Sequence, residues 1–308
     1  MRVTLLHNPK AGDAKHRKNE LMLALTRAGH QGTYQSTNER GFIKTLKQPA
    51  DLVLAAGGDG TVAAVACQLI DSGIPLSVLP LGTANNLARA LGFVASAEEI
   101  IGSLESGKRR TFDVGLAQGP SARRYFFEAT GGGLFADYVR GARKQRKKKS
   151  NGNQLPKGEE MALHGALLRR MLHTYPARRW KIEIDGNDIS GRYILWEAMN
   201  IRFVGPALHL APHAATKDGR LDFVCARETD RALLMKYLDA RMAGKKIKSP
   251  LPTRRFRELR VSWKRSTIHL DDELWQNTKK NKKLSNEIRI TVKASALIIL
   301  QPATGIRR

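Results

Sequence analysis

The sequence predicts two successive folds, an α/β domain on a parallel sheet and then a mainly antiparallel β domain. Two observations carry that expectation. Over about the first hundred residues, apolar strand-like runs alternate with amphipathic helical runs, the rhythm of a parallel sheet with helices on both faces. From Phe112 onward the pattern shifts to short stretches that alternate apolar and polar residues, the period of half-buried strands. The boundary is expected at 111–113, which makes 1–112 one domain and 113–294 the other.

Within the first domain, "RVTLLHN" reads as a buried strand, followed by a helix through Leu21 and Leu25 that ends at Gly29. "DLVLAAG" is a second strand. The helix after it spaces Val62, Val65, Ala66 and Leu69 at i, i+3, i+4, i+7, with Gly73 expected as its C′ residue. "IPLSVLPLG" is a third strand, leading to a short helix, "NNLARAL", stopped by Gly92. Ser96 and Glu99 form a capping-box signature before Ile100, Ile101 and Leu104.

In the second domain, "TFDVGLA" and "RRYFFEAT" read as neighbouring strands, and "RWKIEIDGNDISGRYILWEAMN" as a hairpin about Asp185-Gly186. "LDFVCA", "ELRVSW", "STIHL", "EIRITV" and "ALIIL" are further short strands, with helices expected near 159–173 and 230–242. One segment stands apart. "RGARKQRKKKSNGNQLPKGEE" carries seven Lys or Arg between Arg140 and Lys149 and then polar residues, so 140–158 reads as a long mobile loop.

A formal net charge of +25 points to a polyanionic partner: nucleic acid, anionic lipid or a phosphorylated substrate. Aromatic residues are only 6% and none is interleaved in the basic run, which argues against stacking on single strands, so no nucleic acid is expected. Cys67 and Cys225 lie in apolar runs and read as reduced core residues of a cytosolic protein. No apolar run reaches the ~18 residues of a membrane span, and "MRVTLLHNPK" turns polar too early for a signal peptide.

Three glycine-containing turns follow the predicted strands: "NPKAG" (8–12), "GGDGTVA" (57–63) and "LPLGTANNLAR" (79–89). Gly58, Gly60 and Ala63 satisfy a dinucleotide G-x-G-x-x-A pattern, but the acidic ribose contact expected ~20 residues later is missing. A Walker A reading fails, because the near match "GSLESGKR" has Arg109 where Ser or Thr belongs and runs from helix to strand. The third reading takes the turns together. In a parallel sheet all three emerge at the carboxyl edge, where backbone N–H groups favour phosphate oxygens. Asp59 would repel phosphate unless it holds a cation's water or anchors a charge network.

Taken together, NPKAG, GGDGTV and PLGTANN resemble motifs of the catalytic domain shared by diacylglycerol kinases, sphingosine kinases and bacterial lipid kinases. "FDVGLA", "EATGGGLFADY", "LAPHAATKDGRLDFV" and "IHLDDELW" continue the resemblance in the family's order, over nearly the whole chain. It is closest to the bacterial branch. The resemblance implies a Rossmann-like nucleotide domain related to NAD kinase, then a β-sandwich-like domain, with ATP in the cleft between them. It also implies that "ALIILQP", within about 295–308, returns to the first domain. The implied activity is ATP- and Mg²⁺-dependent transfer of a phosphoryl group to a hydroxyl of a membrane lipid, diacylglycerol foremost. The enzyme would then be cytoplasmic and peripheral to the inner face of the membrane, docked by the basic run 140–149.

By the same resemblance, Asn8, Pro9, Lys10, Ala11, Gly12, Thr37, Gly57, Gly58, Asp59, Gly60, Thr61, Val62, Ala63 and Thr83 line the ATP site. Asp218, with the carbonyls of Ala215 and Arg220, would hold Mg²⁺, an ordinary oxygen set for a hard cation. A type I turn would need "KDG" equally, and the two readings are compatible. The family's Asp-Gly-Glu pattern is met by Asp271 and Glu273, with Asp272 in place of the glycine. Glu273 is the expected base for the acceptor hydroxyl, with Asp271 on the same face of an extended segment orienting it, and Asp59 supporting the charge network. Asn86 and Pro206 are further departures from the common pattern. Two rivals remain open: a kinase of a soluble substrate resembling NAD kinase, and a non-catalytic basic module on a kinase fold.

Overall fold

The structure, a computed structural model, describes residues 1–12, 17–39, 41–46, 48, 50–120, 122–149, 156–262, 266–276 and 286–303. The chain divides into two units. Met1–Phe112, Gln154–Gly158 and Ser295–Arg308 form the first, and Asp113–Asn153 with Glu159–Ala294 the second.

Unit 1 contains β1 (Arg2–His7), α1 (Lys18–Arg27), β2 (Gln31–Ser36), α2 (Phe42–Thr45), β3 (Leu52–Gly57), α3 (Asp59–Leu69), β4 (Leu76–Pro80), α4 (Asn86–Ala90) and α5 (Ala97–Gly102). β1 pairs in parallel with β2 and β3, and β3 with β4. Residues 52–56 are unbroken apolar and all but inaccessible, because a parallel strand has a helix-covered layer on each side. The Ser96–Glu99 capping box forms as expected. The end of α3 differs from expectation. Asp71 takes the left-handed position just past the helix, at φ +60°, and Gly73 lies two residues beyond it. Cys67 is exposed rather than in the core. Helical periodicity turns Val62, Val65, Ala66 and Leu69 inward and leaves position 67 outside.

β5 (Lys108–Gln118) runs from unit 1 into unit 2, which continues with β6 (Arg123–Phe126), β7 (Ala129–Gly133), α6 (Leu134–Lys149), α7 (Lys157–Thr174, whose first two residues count with unit 1), β8 (Arg178–Trp180), β9 (Ile182–Ile184), β10 (Asn187–Asp188), β11 (Gly191–Tyr193) and β12 (Leu195–Met199). β13 (Phe203–Val204), β14 (Leu208–His209), β15 (Leu221–Ala226), α8 (Arg231–Met242) and β16 (Thr253–Phe256) follow. β17 (Leu259–Ser262), β18 (Thr267–Leu270), β19 (Glu273–Gln276) and the first part of β20 (Glu287–Gln301) complete it, while the end of β20, from Ser295, belongs to unit 1, where Ile299 pairs in parallel with Leu76.

One antiparallel sheet runs β16–β15–β12–β7–β18–β19, and a second set pairs β10, β9, β17 and the first part of β20. Trp196, Phe256, Ile268, Val261 and Ile290 belong to one core between them. A second core joins Leu195 and Met199 to Phe135, Leu168 and Leu238 of the three long helices. The alternation along β12 is thus resolved into two buried faces, one toward the other sheet and one toward α6, α7 and α8. Asp185 and Gly186 form the expected hairpin tip, at φ +47° and +80°.

The basic run is not a loop. Residues 140–149 continue α6, whose first turns bury Leu134, Phe135, Tyr138 and Val139. Lys, Arg and Gln are good helix formers, so a helix nucleated on the core propagates through them. Residues 150–155 of the expected loop lie outside the described residues.

Candidate functional site

In unit 1 the three glycine turns meet at the carboxyl ends of the strands. At the end of β1, Asn8 donates its backbone N–H to Ala56 and its side-chain amide to Thr61 Oγ1, 3.2 Å away. Its Oδ1 accepts from Lys10 N and Asn38 Nδ2. NPKAG and GGDGT are therefore tied by Asn8, while Pro9 and Ala11 are turn residues. Thr37 is anchored on β1, donating its N–H to His7 O at 2.8 Å. Gly12 sits at φ +61°, and a Cβ there would lie 2.1 Å from Leu81 O. Only glycine fits that approach.

GGDG and the third turn also touch backbone to backbone. A Cβ on Gly82 would stand 2.3 Å from the Cα of Gly58. Asn85, at φ +51°, accepts from Gly82 N through Oδ1 and donates to Pro80 O and Gly82 O, holding the turn that carries Thr83. Asp59 opens α3, and its Oδ1 accepts the Leu87 N–H at 2.9 Å in the first turn of α4. This explains a carboxylate among glycines: it ties the second turn to the third. Gly57 packs against the Thr61 side chain, whereas the side-chain position of Gly60 opens onto empty space. The backbone at Gly60 can thus be approached by an anion. Val62 points into the core, 3% exposed, and Ala63 beside it is half-buried, so Val62 contributes no side chain to this edge. Sequence reasoning passed over Lys157. Its Cε lies 3.0 Å from where a Gly12 Cβ would be, which places a cation beside NPKAG. Nothing in the spacing of the sequence brings residue 157 to residue 12.

In unit 2, the β18–β19 connection is a two-residue turn, Asp271-Asp272, with Leu270 opposite Glu273. Asp271 is at φ +49°, so it does not share an extended face with Glu273, as alternation had suggested. Its carboxylate turns inward and accepts the backbone N–H groups of Phe127, Glu128 and Ala129, at 2.7–3.2 Å. Those amides lie where "RRYFFEAT" breaks into β6 and β7 and at the start of β7. Burial nevertheless pushes the Asp271 carboxyl up to about 6, against the pull of the three amides and His269. The left-handed residue is Asp271 rather than Asp272, so the absent family glycine costs the backbone nothing here. Glu273 is 68% exposed at its side chain and pairs with Arg124 Nη1 at 3.2 Å. Arg124 in turn lies over the Trp275 ring.

The "TKDGR" turn places Asp218 Oδ1 on Arg220 N and Oδ2 at 3.4 Å from Arg255. Asp113 fixes the turn by accepting Gly219 N at 2.8 Å and donating its own N–H to Thr216 O. Ala215 lies just before it. Behind the turn, Asp222 is buried, and its Oδ1 has no hydrogen-bond partner among the described residues. Burial and then the charge of Asp218 push its carboxyl up to about 6. Carboxylate oxygens with one buried lone pair unsatisfied suit a hard divalent cation. Among the described residues no three His, Cys, Asp or Glu gather as a metal cluster, so carbonyls would complete such a site.

An α/β domain with phosphate-suited turns, joined to an antiparallel domain presenting two acidic turns, defines a phosphotransferase class. The model described as the diacylglycerol kinase catalytic domain matches residues 2–117, and the one described as the YegS C-terminal NAD kinase beta sandwich-like domain matches residues 140–281. The likeness to the diacylglycerol kinase catalytic domain over residues 2–117, with relatives named diacylglycerol kinase, points to a kinase of the lipid kinase kind. It is 28% identical over 261 residues to the diacylglycerol kinase of Bacillus subtilis, covering 80% of each chain. Over 257 residues it is 25% identical to that of Mycobacterium tuberculosis H37Rv, covering 79% of each. The crystal structure of a diacylglycerol kinase from Bacillus anthracis shares the fold, at a TM-score of 0.70 and 19% identity over 99% of this chain and 98% of that one. Among the described residues no helix is long and apolar enough to cross a membrane.

Proposed function

We propose that this chain is an ATP- and Mg²⁺-dependent kinase that phosphorylates a membrane lipid hydroxyl, with diacylglycerol as acceptor. The observation that carries the reading is the Asp271–Glu273 turn, where one carboxylate is locked by three amides and the other stands accessible. Unit 1 binds the nucleotide phosphates through the backbone of Gly12, Gly57, Gly58 and Gly60, with Lys157 adding positive charge beside them. Asn8, Asp59 and Asn85 keep those turns in register, so the phosphates meet a preorganised edge. Asp218 and Asp222 hold the cation, which when bound would neutralise phosphate charge. Glu273 accepts the proton of the acceptor hydroxyl. Arg124 keeps its carboxylate oriented, and Asp271 fixes the turn on which it stands.

A lipid acceptor requires the enzyme to reach a bilayer. The basic end of α6 supplies the electrostatics, since each Lys or Arg near an anionic surface contributes about 1 kcal/mol. Relatives named diacylglycerol kinase support the acceptor class.

The test is incubation with labelled ATP, Mg²⁺ and a lipid panel, for wild type and Glu273→Gln. Labelled phosphatidate from wild type, and a loss of roughly 10²–10⁴ in rate for the variant, are expected. Label appearing only on a soluble acceptor would overturn the lipid reading. Near-normal turnover by Glu273→Gln, with Asp271→Asn inactive, would move the base to Asp271.

A further inference from the structure

Behind the Asp271 turn lies a buried acid–imidazole pair with no part in the chemistry above. Glu197 on β12 and His269 on β18 are 0% and 1% exposed. β7 runs between their strands, and Gly131 is the register partner of both. The two side chains therefore reach across one whole strand, a gap of about 10 Å between the flanking backbones. They can meet only because the strand between has no side chain at that point. A Cβ on Gly131 would lie 2.3 Å from the Glu197 carboxyl carbon. His269 Nε2 meets Glu197 Oε2 at 2.8 Å, and His269 Nδ1 meets the backbone oxygen of Asp271 at 3.0 Å.

The second contact fixes the tautomer. A carbonyl oxygen can only accept, so Nδ1 carries a proton and donates it to Asp271. One further proton is then shared between Nε2 and Oε2, and the pair is net neutral wherever that proton sits. Burial raises the Glu197 carboxyl. For His269, burial alone would lower the imidazole, but the Glu197 carboxylate overrides it and the net shift is upward. The pair thus holds its shared proton firmly.

Stability does not account for the arrangement. Glu197 Oε1 is buried with no partner among the described residues, and buried ion pairs can often be replaced by apolar residues without loss. The bonds around the turn supply a reason. Asp271 is gripped at its carbonyl by His269, at its N–H by Ala129 O, and at its carboxylate by three amides. Thr130 Oγ1 in turn holds the backbone oxygen of His269 at 2.6 Å.

We propose that Glu197 and His269 form a positioning pair, fixing the left-handed Asp271 turn and through it the direction in which Glu273 is presented. The inference rests on the reading of that turn as the acceptor-side site, and it reaches past that reading to what orients the turn. The pair touches no substrate. It sets the rate through Asp271.

The test compares His269→Phe, which removes both hydrogen bonds, with His269→Asn, whose side-chain amide can replace the Nδ1 donor. Two readouts are taken on the full chain: steady-state kinetics with ATP and diacylglycerol, and hydrogen exchange at the amides of Phe127, Glu128, Ala129 and Asp271. Expected for His269→Phe are a kcat at least tenfold lower, an unchanged KM for ATP, and faster exchange at those four amides. His269→Asn should recover most of both. Wild-type exchange and kcat in His269→Phe, with only a lowered Tm, would overturn the proposal, as would His269→Asn behaving like His269→Phe. If wild type phosphorylates no lipid, the reading of the site fails, and the exchange data alone then decide the positioning role. Should His269→Phe fail to fold, Glu197→Leu in the same two measurements decides, with loosened exchange expected and wild-type exchange refuting.

Discussion

Two carboxylates show how one residue type is put to opposite uses. Asp59 accepts a helix-end amide at 2.9 Å and so acts as a cap supplied from another loop. Asp59→Ala should destabilise unit 1 by about 1 kcal/mol, the usual worth of a capping oxygen, and should weaken nucleotide binding by loosening two glycine turns together. Thermal denaturation and nucleotide titration check both, and an unaltered affinity would mean that the turns hold without it. Asp271 is different, because its carboxyl is raised from 3.8 to about 6 by burial. The folded state therefore holds this proton more tightly than the unfolded chain does. The stabilisation from this group is complete below about 3.8 and is lost as the pH rises through about 6, a change of about 3 kcal/mol. Measured against Asp271→Asn, wild-type stability should fall by that order between pH 4 and 7. A difference that stays flat with pH would show that the three amides, not burial, set this carboxyl.

Among the elements, those fixed by local periodicity were legible in the sequence and those fixed by distant partners were not. The β1, β3 and β4 strands and the α3 core stripe follow from apolar runs and 3.6-residue spacing. β2, "QGTYQS", carries no such run, and it is a strand because β1 offers it a ladder of backbone partners. The Asp271 turn was misjudged because alternation cannot reveal that amides at the junction of β6 and β7, some 140 residues earlier in the chain, would draw its carboxylate inward. The basic run was misjudged for a related reason. Charge suggested a loop, whereas the buried first turns of α6 extend a helix into it. Arg140 is no part of a free cationic face, since it pairs with Asp137 and donates to Thr267 Oγ1. The proposed membrane contact would then rest on the later residues of the run. Replacing Lys147, Lys148 and Lys149 with Glu should abolish sedimentation with anionic vesicles at low salt. Retained binding would assign the bilayer contact elsewhere.

At the scale of the whole molecule, the order of the chain does not follow the order of its units. Unit 1 is completed by Ser295–Arg308, after unit 2 has been built. Ala296, Leu297, Ile299 and Leu300 are each at most 6% exposed. Ile299 extends the parallel sheet beside Leu76, Ala296 O accepts the Asp71 N–H, and Gln301 donates to Leu91 O. Burying apolar side chains of this size contributes about 1.5–3 kcal/mol each for the larger ones, so the segment supplies stability comparable to the whole margin of a domain. A chain ending at Ala294 should therefore lose nucleotide binding and leave residues 1–112 open to protease. The same truncation should leave residues 113–294 protected, because among the described residues the two cores above draw on none beyond Val292. Limited proteolysis with mass mapping reads both outcomes at once. If residues 1–112 stayed protected and still bound nucleotide, the C-terminal strand would be dispensable. If the whole chain were digested, the units would fold as one, and the stability of the second would depend on the first.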